Sequence, residues 1–278
     1  MIELPEAHVL SRQLARIIKG KKITDVIANY SPHKFAWFYK NPDDYAALLT
    51  GKTIENAEPN GGQVEIFAED VRLVFTDGVN LRYIEPGGKL PLKHQLLIGF
   101  DDDSCIAASV QMYGGLWCFR AGQLDSPYYL VAKEKPYALS EAFSEAYFLD
   151  LLNREDMQKK SVKAALATEQ SIPGLGNGVL QDILFNAFLH PRKKVSVLTE
   201  KEKVTLFRSL KTTLSEMCRE GGRDTEKDLL GVKGGYITRL SKNALGKPCP
   251  RCGGSIVRES YLGGNVYYCN QCQKEDLD

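Results

Sequence analysis

The sequence predicts an α+β protein in which an N-terminal β-sandwich precedes a helical domain and a small cysteine-bearing β-hairpin. Three observations predict this order. Short alternating runs fill most of the first 130 residues, apolar spacings of three and four fill residues 136 to about 220, and two cysteine pairs lie near the C-terminus. We therefore expect domains at residues 1–130, 136–245 and 246–278.

The N-terminal part is predicted to open with a helix and to continue as strands. Apolar and polar residues alternate at 64–67, 72–75, 95–100 and 104–108. Asp77-Gly78 and the aspartates of 101–103 provide turn signals between these runs. Short strands separated by such turns are typical of a β-sandwich.

The second part is predicted to be helical. One helix carries apolar residues at helical spacing, with Ser140 as its N-cap: Leu139, Phe143, Ala146, Tyr147 and Leu151. A later helix repeats the pattern and ends at Gly221-Gly222, with Val204, Phe207, Leu210, Leu214 and Met217 on its apolar face. Residues 122–136, which contain prolines and tyrosines, are predicted to be a connector.

The composition is that of an ordinary globular protein. The chain has 278 residues, 43% of them hydrophobic and 26% charged. Its formal net charge is only +1, so any affinity for nucleic acid must come from an uneven distribution of charge. The first residues lack a signal peptide, and no apolar run is long enough to span a membrane. We expect a cytoplasmic protein, associated with the nucleoid if bacterial, with no membrane partner.

Four of the seven cysteines form a metal-ligand pattern. Cys249-x2-Cys252 is followed, after sixteen residues, by Cys269-x2-Cys272. Two such pairs complete a closed tetrahedral Zn²⁺ site, and four thiolates leave no position for a substrate, so the single zinc would be structural. The alternative is two disulfides, which a reducing cytoplasm disfavours. The remaining cysteines are predicted to be buried thiols: Cys105, Cys118 and Cys218.

The segment between the cysteine pairs predicts a β-hairpin. Strand-like runs at 255–261 and 266–268 flank the glycine-rich residues 262–265. The C-terminal part is therefore a zinc ribbon, too small to fold without its metal. Such ribbons bind DNA, RNA or protein, so the ribbon alone does not decide function.

The most informative stretch is residues 163–191. A first helix is predicted to end at Ile172-Pro173, and Gly174-Leu175-Gly176-Asn177 then opens a second helix. A glycine-rich turn at a helix N-terminus directs backbone N–H groups outward, where a DNA phosphate would fit. The alternative is an ordinary helical hairpin, because Gly-x-Gly alone is a weak signal.

Three motifs together resemble one protein family. Lys163, thirteen residues, Asn177 and then His190-Pro191 are similar to the helix–two-turn–helix of the formamidopyrimidine-DNA glycosylase and endonuclease VIII family. The start, Glu3-Leu4-Pro5-Glu6, is similar to the family's N-terminal Pro-Glu-Leu-Pro-Glu. The four-cysteine ribbon is also in the expected place. The resemblance implies a β-sandwich, a helix–two-turn–helix domain and a zinc ribbon, with double-stranded DNA containing a damaged base or abasic site between them.

The resemblance also implies roles for individual residues. In the family the lysine and the asparagine grip phosphates beside the lesion, so Lys163, Gly176 and Asn177 are expected to bind DNA. Family enzymes flip the damaged base out, attack the sugar with an N-terminal amine, and use a glutamate to move protons. Glu3 and Glu6 match those glutamates. The alternative for both is helix capping.

A glycine-rich loop from residue 221 to residue 236 is the candidate for contact with the extruded base. In the family, a loop at this place closes over that base. Arg223 is therefore predicted to contact DNA. The alternative is that the basic residues around this loop are solvated.

Several positions depart from the family pattern. Ile2 stands where the family has its catalytic proline, and a bulky residue there is expected to block removal of Met1. The free amine would then belong to Met1, displaced by about 3.8 Å of backbone. The family's hairpin lysine aligns near Gln63, and its ribbon arginine aligns near Gly264.

The family's residues that fill the void left by a flipped base are also replaced, around Asp77 and the segment 111–113. Met112 or Tyr113 could intercalate as an apolar wedge. The favoured alternative is that both are core residues of a strand.

Taken together, these features predict a monomeric base-excision repair protein: a DNA glycosylase (hydrolase), with AP lyase activity as an open question. It would use the Met1 amine or a water activated by Glu3. The alternative is a protein that binds damaged or abasic DNA without catalysis. A third interpretation, a ribbon-containing protein-interaction module, does not account for Lys163 and Asn177.

Overall fold

An opening helix and two facing sheets form the N-terminal part, in a computed structural model that describes residues 1–275. Residues 276–278 of the predicted ribbon lie outside the described residues. The strands of this part are β1 (Ile23–Ala28), β2 (Ala36–Phe38), β3 (Ile54–Asn60), β4 (Gln63–Ala68), β5 (Val71–Thr76), β6 (Val79–Ile84), β7 (Leu96–Phe100), β8 (Cys105–Val110) and β9 (Gly114–Arg120). Helix α1 (Leu4–Ile17) precedes them, and the short helix α2 (Tyr45–Leu49) lies between β2 and β3.

The strands form a sandwich, as predicted. One sheet has the order β1-β7-β8-β6 and the other the order β2-β9-β5-β4-β3, with β2 and β9 parallel at its edge. Side chains alternate along each strand, so Leu73 and Phe75 of β5 are buried between the sheets, together with Leu10 and Leu14 of α1. Val74 lies on the opposite face, in a separate small cluster with Phe119.

The helical part differs from prediction in three places. Its helices are α3 (Pro127–Glu134), α4 (Glu145–Asn153), α5 (Glu155–Gln158), α6 (Val162–Ala167), α7 (Asn177–Asn186) and α8 (Glu200–Arg219). Helix α3 occupies the predicted connector. The N-cap of α4 is Ser144 and not Ser140, because the Ser144 hydroxyl accepts the Tyr147 N–H. Helix α6 ends at Ala167, earlier than the predicted Ile172.

The sandwich and the helical part each have a hydrophobic core, and each core includes a residue from the other part. Leu4 of α1 packs in the core of the helical part, whereas Leu229 of the loop after α8 packs in the core of the sandwich. The predicted boundaries at 130, 136 and 245 stay predictions. No helix within residues 1–275 is long and apolar enough to cross a membrane.

The C-terminal hairpin is confirmed. Strands β10 (Ile256–Tyr261) and β11 (Gly264–Cys269) pair antiparallel. Cys249 and Cys269 are buried against Phe185 of α7, so the ribbon is fixed to the helix that follows the glycine-rich turn.

Candidate nucleic-acid interface and catalytic site

The N-terminus of α7 holds the carboxylate of Glu3. The Gly178 N–H donates to Glu3 Oε1 at 2.9 Å, and the Val179 N–H donates to Oε2 at 2.7 Å. A Cβ on Gly176 would lie 2.5 Å from Glu3, so only glycine permits this approach. These two N–H groups, expected to face a DNA phosphate, are instead bound to the protein's own anion. The favourable helix N-terminus explains why a carboxylate is buried there.

Arg223 completes this buried cluster. Its Nη1 lies 3.2 Å from Glu3 Oε2, and its Nε and Nη2 donate to the two oxygens of Glu6 at 2.9 and 2.7 Å. The side chain is only 3% exposed. In this structure the guanidinium of Arg223 is paired with both carboxylates, and the predicted contact of Arg223 with DNA stays a prediction.

The buried charges of Glu3, Glu6 and Arg223 shift the pKa values of Glu3 and Arg223. Burial raises the pKa of Glu3 above the ordinary value, while the Arg223 guanidinium and the two backbone N–H groups act in the opposite direction. The two carboxylates outweigh burial at Arg223 and raise the pKa of the guanidinium. A glutamate whose pKa is shifted by burial and by a specific charge partner, at the edge of a cleft, is a candidate for proton transfer.

The chain start lies at the edge of the same cluster. The amine of Met1 forms an ion pair with Glu226, in the loop after α8. Ile2 is 6% exposed, and its N–H donates to the backbone oxygen of Asp77 at 2.5 Å. Neither the pairing of Met1 with Glu226 nor that of Ile2 with Asp77 was predicted, because no local pattern joins residues so distant along the chain.

A cleft of about 320 Å³ opens beside the chain start. Its walls include Met1, Glu3, Asn177, Gln181, Thr238 and Tyr267. The Met1 amine, the buried carboxylate and one member of the predicted phosphate clamp therefore share one cleft, of a size that ordinary ligand sites have.

The predicted phosphate clamp lies against the tip of the ribbon hairpin. Lys163 Nζ donates to the backbone oxygen of Tyr261, and Asn177 Nδ2 donates to that of Asn265 at 2.7 Å. Burial lowers the pKa of Lys163. Asn177 Oδ1 is buried without a hydrogen-bond partner within residues 1–275. Each donor group keeps unused hydrogens, since an ammonium has three and an amide two.

Gly264 lies at this clamp. A Cβ added there would lie 3.4 Å from Asn177 Nδ2 and 3.8 Å from Lys163 Nζ, which is ordinary contact distance. The position that aligns with the family's ribbon arginine is thus next to the clamp, but here it carries no side chain.

The four ribbon cysteines fit a zinc ion. Their sulfur atoms all lie within 4.8 Å of one another, and none of them forms a disulfide. The Sγ atoms are 3.5 Å apart for Cys252 and Cys269, and 3.9 Å apart for Cys249 and Cys272. A tetrahedral site with Zn–S bonds near 2.3 Å requires sulfur separations of about 3.8 Å. The predicted structural zinc is supported, and the isolated cysteines are buried as expected.

Purified protein is expected to carry one zinc per chain. Cys272→Ser should lose the metal and unfold the ribbon, because so small a hairpin depends on metal for its fold. Elemental analysis and the dispersion of the ribbon's amide NMR signals would measure both effects. Cys105→Ala, which removes a thiol outside the cluster, is the control and should keep its zinc. Wild-type protein with less than a few tenths of an equivalent would contradict the assignment.

The candidate wedge residues lie in the turn between β8 and β9. Met112 is 63% exposed there, so the favoured prediction that it is a core residue of a strand was wrong. Tyr113 is half-buried and its backbone oxygen accepts the Gly78 N–H. Gln63 is 1% exposed and donates to the backbone oxygen of Tyr128 at 3.0 Å.

The chain is thus a helix–two-turn–helix protein with a β-sandwich and a zinc ribbon. Three family models match it in order: the formamidopyrimidine-DNA glycosylase N-terminal domain at residues 1–79, the formamidopyrimidine-DNA glycosylase H2TH domain at 135–228, and the zinc finger found in FPG and IleRS at 246–274. A formamidopyrimidine-DNA glycosylase of Lactococcus lactis is 30% identical over 283 residues, covering 99% of this chain and 100% of that protein.

Other comparisons agree. A formamidopyrimidine-DNA glycosylase of Bacillus licheniformis is 28% identical, covering 99% of this chain and all of that protein. The solved complex of Lactococcus lactis Fpg with abasic-site DNA matches with a TM-score of 0.84 and 25% identity, over 98% of this chain and 100% of that chain. A MutM complex with carbocyclic 8-oxo-G DNA matches with a TM-score of 0.83 and 26% identity, over the same shares. This chain belongs to the formamidopyrimidine-DNA glycosylase family.

Proposed function

We propose that this protein is a base-excision repair DNA glycosylase that acts on double-stranded DNA containing a damaged base or abasic site. The observation that carries the proposal is one cleft that brings together the Met1 amine, Glu3 and Asn177. The solved relatives are complexes with abasic-site DNA and with Fapy-dG DNA, which supports the same class of substrate here.

The chemistry depends on two groups beside the cleft. Glu226 is the carboxylate that pairs with the Met1 amine, so it is placed to accept the amine proton. The freed lone pair attacks the sugar C1′, the C1′–base bond breaks, and the base leaves with the proton that Glu226 accepted. The ring oxygen then takes one proton from the C1′-bound ammonium as the C1′–O4′ bond breaks, which gives a protonated Schiff base. Removal of a C2′ proton expels the 3′-phosphate and cuts the strand.

Glu3 is the second group, and its expected role is proton transfer. Burial raises its pKa, and Glu3 lines the same cleft as Met1, so it is placed to assist either ring opening or the attack of a water. If water attacks, the base is released without a covalent intermediate and without strand cleavage. The displaced amine, which follows from Ile2 in place of the family's proline, is the feature that makes this chain a divergent member.

The alternative is a binder of abasic sites without catalysis. The Met1 amine is held in an ion pair with Glu226, and the nitrogen at the family's proline position belongs to the peptide bond of Ile2. Assays with oxidised, alkylated and deaminated duplexes separate the two candidates. Release of any base supports the glycosylase, and tight abasic binding with no release supports the binder.

Lys163 and Asn177 are expected to supply the phosphate clamp. Lys163→Ala should weaken binding to an abasic-site duplex about tenfold, as loss of a hydrogen bond to a charged group does. The salt dependence should flatten by about one unit, because one cation fewer displaces counterions. Fluorescence anisotropy at several salt concentrations measures both effects.

Matched variants sharpen this test. Lys159→Ala removes an exposed lysine four residues earlier and should change affinity little. Gly264→Arg should strengthen binding and steepen the salt dependence, because a side chain fits at this position beside the clamp. Unchanged affinity in both Lys163→Ala and Asn177→Ala would show that phosphate is bound elsewhere.

A further inference from the structure

A surface groove runs along the segment that joins the helical part to the ribbon. Its first half is a depression of about 360 Å³ between α8 and the C-terminal end of α7. Its second half is a depression of about 260 Å³, formed by residues 237–250 and the start of β10. Arg239 lines both halves, so the two depressions form one continuous surface. We name this surface the linker groove.

The first half of the groove is lined by polar side chains. Arg208 lies on the same face of α8 as Thr212, four residues later. Asn186, at the end of α7, forms the opposite wall. Its amide donates to Thr213 Oγ1 at 3.0 Å, and its side-chain oxygen accepts Arg239 Nη1. Two guanidiniums and several hydroxyls therefore line this half.

Both guanidiniums have unused donors. Arg208 is exposed and forms no hydrogen bond or ion pair within residues 1–275. Arg239 is also exposed and uses one nitrogen on Asn186. The carboxylate of Asp182 near Arg239 is buried and accepts the backbone N–H groups of Arg239 and Leu240. A guanidinium has five N–H donors in a planar fork that fits a carboxylate, so both arginines can bind a further anion.

The groove has more cations than carboxylates, and one of the carboxylates is already bound. Asp224 accepts the Thr238 N–H at 3.1 Å and the Thr238 hydroxyl at 2.9 Å. Glu216 is the other acidic residue that lines the groove, and Lys247 is a third cation beside the two arginines. At its border, Arg251 donates to a backbone oxygen in the last turn of α7. The charge of this surface is therefore complementary to an anion.

The second half of the groove is largely apolar. Ile237 is 71% exposed there, and the walls include Ala244, Pro248 and Ile256. An exposed apolar depression next to a cationic one has the composition of a protein interface, in which arginines surround apolar contacts.

Phe188 is an independent sign that this surface has a partner. It follows the C-cap of α7, and its backbone is left-handed with φ 61°. Glycine is the usual residue at such a position, because a side chain there strains the backbone. The ring is nevertheless 55% exposed, and the Arg251 guanidinium lies 3.8 Å from its centroid. Exposed aromatic rings and arginines are the side chains that anchor protein interfaces.

The polar half lies away from the DNA clamp. Helix α7 begins at Asn177, which belongs to the clamp, and ends at Asn186, which lines the groove. Its ten residues span about 15 Å, so this half is at the far end of the helix from the expected phosphates. Thr238 lines both the cleft and the apolar half, so an occupant of the groove lies directly behind the cleft.

We propose that the linker groove docks an acidic segment of a partner protein while DNA occupies the cleft. Carboxylates of the segment pair with Arg208 and Arg239, and a neighbouring apolar side chain enters the depression beside Ile237. A DNA strand fits this surface less well, because its phosphates offer nothing to the apolar half. The inference goes beyond the proposed function, since the groove contains none of the catalytic groups.

Binding of acidic peptides tests the groove. An array of dodecapeptides that alternate aspartate with each apolar residue is probed with the full-length protein, and the strongest binder is labelled with fluorescein. Anisotropy should show that Arg208→Ala and Arg239→Ala each lower its affinity about tenfold, as loss of a hydrogen bond to a charged group does. Ile237→Ser should lower the affinity several-fold. A peptide with asparagine at every aspartate position should not bind.

Arg12→Ala is the control, because it removes an exposed arginine of α1, and it should leave the peptide affinity unchanged. Saturation of the protein with an abasic-site duplex should leave the peptide bound. Displacement of the peptide by the duplex would place the peptide in the cleft and overturn the inference. The inference also fails if no peptide of the array binds, or if both arginine variants bind the peptide as the wild type does. Duplex binding weakened by those variants would then assign the groove to DNA. None of these readouts uses base release, so the proposed function is judged separately.

Discussion

Arg223→Ala is expected to lower the midpoint of thermal unfolding by on the order of 10 °C, the largest stability change that the structure predicts for a single charged residue. The substitution leaves Glu3 and Glu6 buried beside each other without their shared cation. Breaking a buried ion pair by removing one partner costs about 3–5 kcal/mol, and each kcal/mol shifts the midpoint by about 2–4 °C in a protein near this size.

The stability lost in Arg223→Ala should increase as the pH rises. Without the guanidinium, burial raises the pKa of Glu3 further above its value of about 4.3 in the unfolded chain. A group whose folded-state pKa is raised stabilises the fold below the unfolded-state pKa and loses that contribution as the pH rises through the folded-state pKa. The difference between Arg223→Ala and the wild type should therefore be larger at pH 8 than at pH 5.

Two variants separate this explanation from a general loss of stability. Arg223→Lys keeps the charge but cannot donate from a planar fork to two carboxylates, so it should fall between the wild type and Arg223→Ala. Arg219→Ala removes an arginine whose side chain is 70% exposed and whose ion pair with Glu220 contributes little. Calorimetry that finds equal shifts for Arg219→Ala and Arg223→Ala would contradict the role of the buried cluster.

Local sequence patterns predicted most of the fold. The runs that became β4, β5, β7 and β8 were visible because they are rich in apolar residues, nearly all of which are buried. The cysteine spacing and the hairpin between the pairs predicted the ribbon because both are local. Helix α3 was missed because eight residues flanked by prolines look like a connector, and its position is fixed by Tyr129 packing on the outer face of the sheet.

The candidate site was predicted less completely. Glu3 was found from the resemblance, but its partner Arg223 lies 220 residues away and was assigned to DNA. A loop arginine in a glycine-rich segment looks solvated in sequence, and only the fold shows that Leu229 anchors this loop to the sandwich core. The choice between Ser140 and Ser144 as N-cap depends on one hydrogen bond, which apolar spacing does not report.

The N-terminal amine is the group on which the largest change in activity should depend. If mass spectrometry shows that Met1 is retained, borohydride should trap a covalent complex with abasic-site DNA. One extra residue before Met1 should abolish that trapping, because the amine is moved out of the cleft that Met1 and Glu3 line. Base release without any trapping would instead indicate a water activated by Glu3, and Glu3→Gln should then stop the reaction.

Ile2→Pro is expected to raise the rate of strand cleavage at abasic sites by about 100-fold. Removal of Met1 from this variant would leave a proline amine at the position of the Ile2 nitrogen, next to the backbone oxygen of Asp77. A misplacement of about 1 Å costs about 100-fold in rate, and the present amine is displaced by a whole residue. Ile2→Leu keeps a bulky second residue and is the matched control, with the wild-type rate expected. A processed Ile2→Pro variant that cleaves no faster than Ile2→Leu would show that the site is limited elsewhere, by Gln63 and Gly264 in place of the family's two cations.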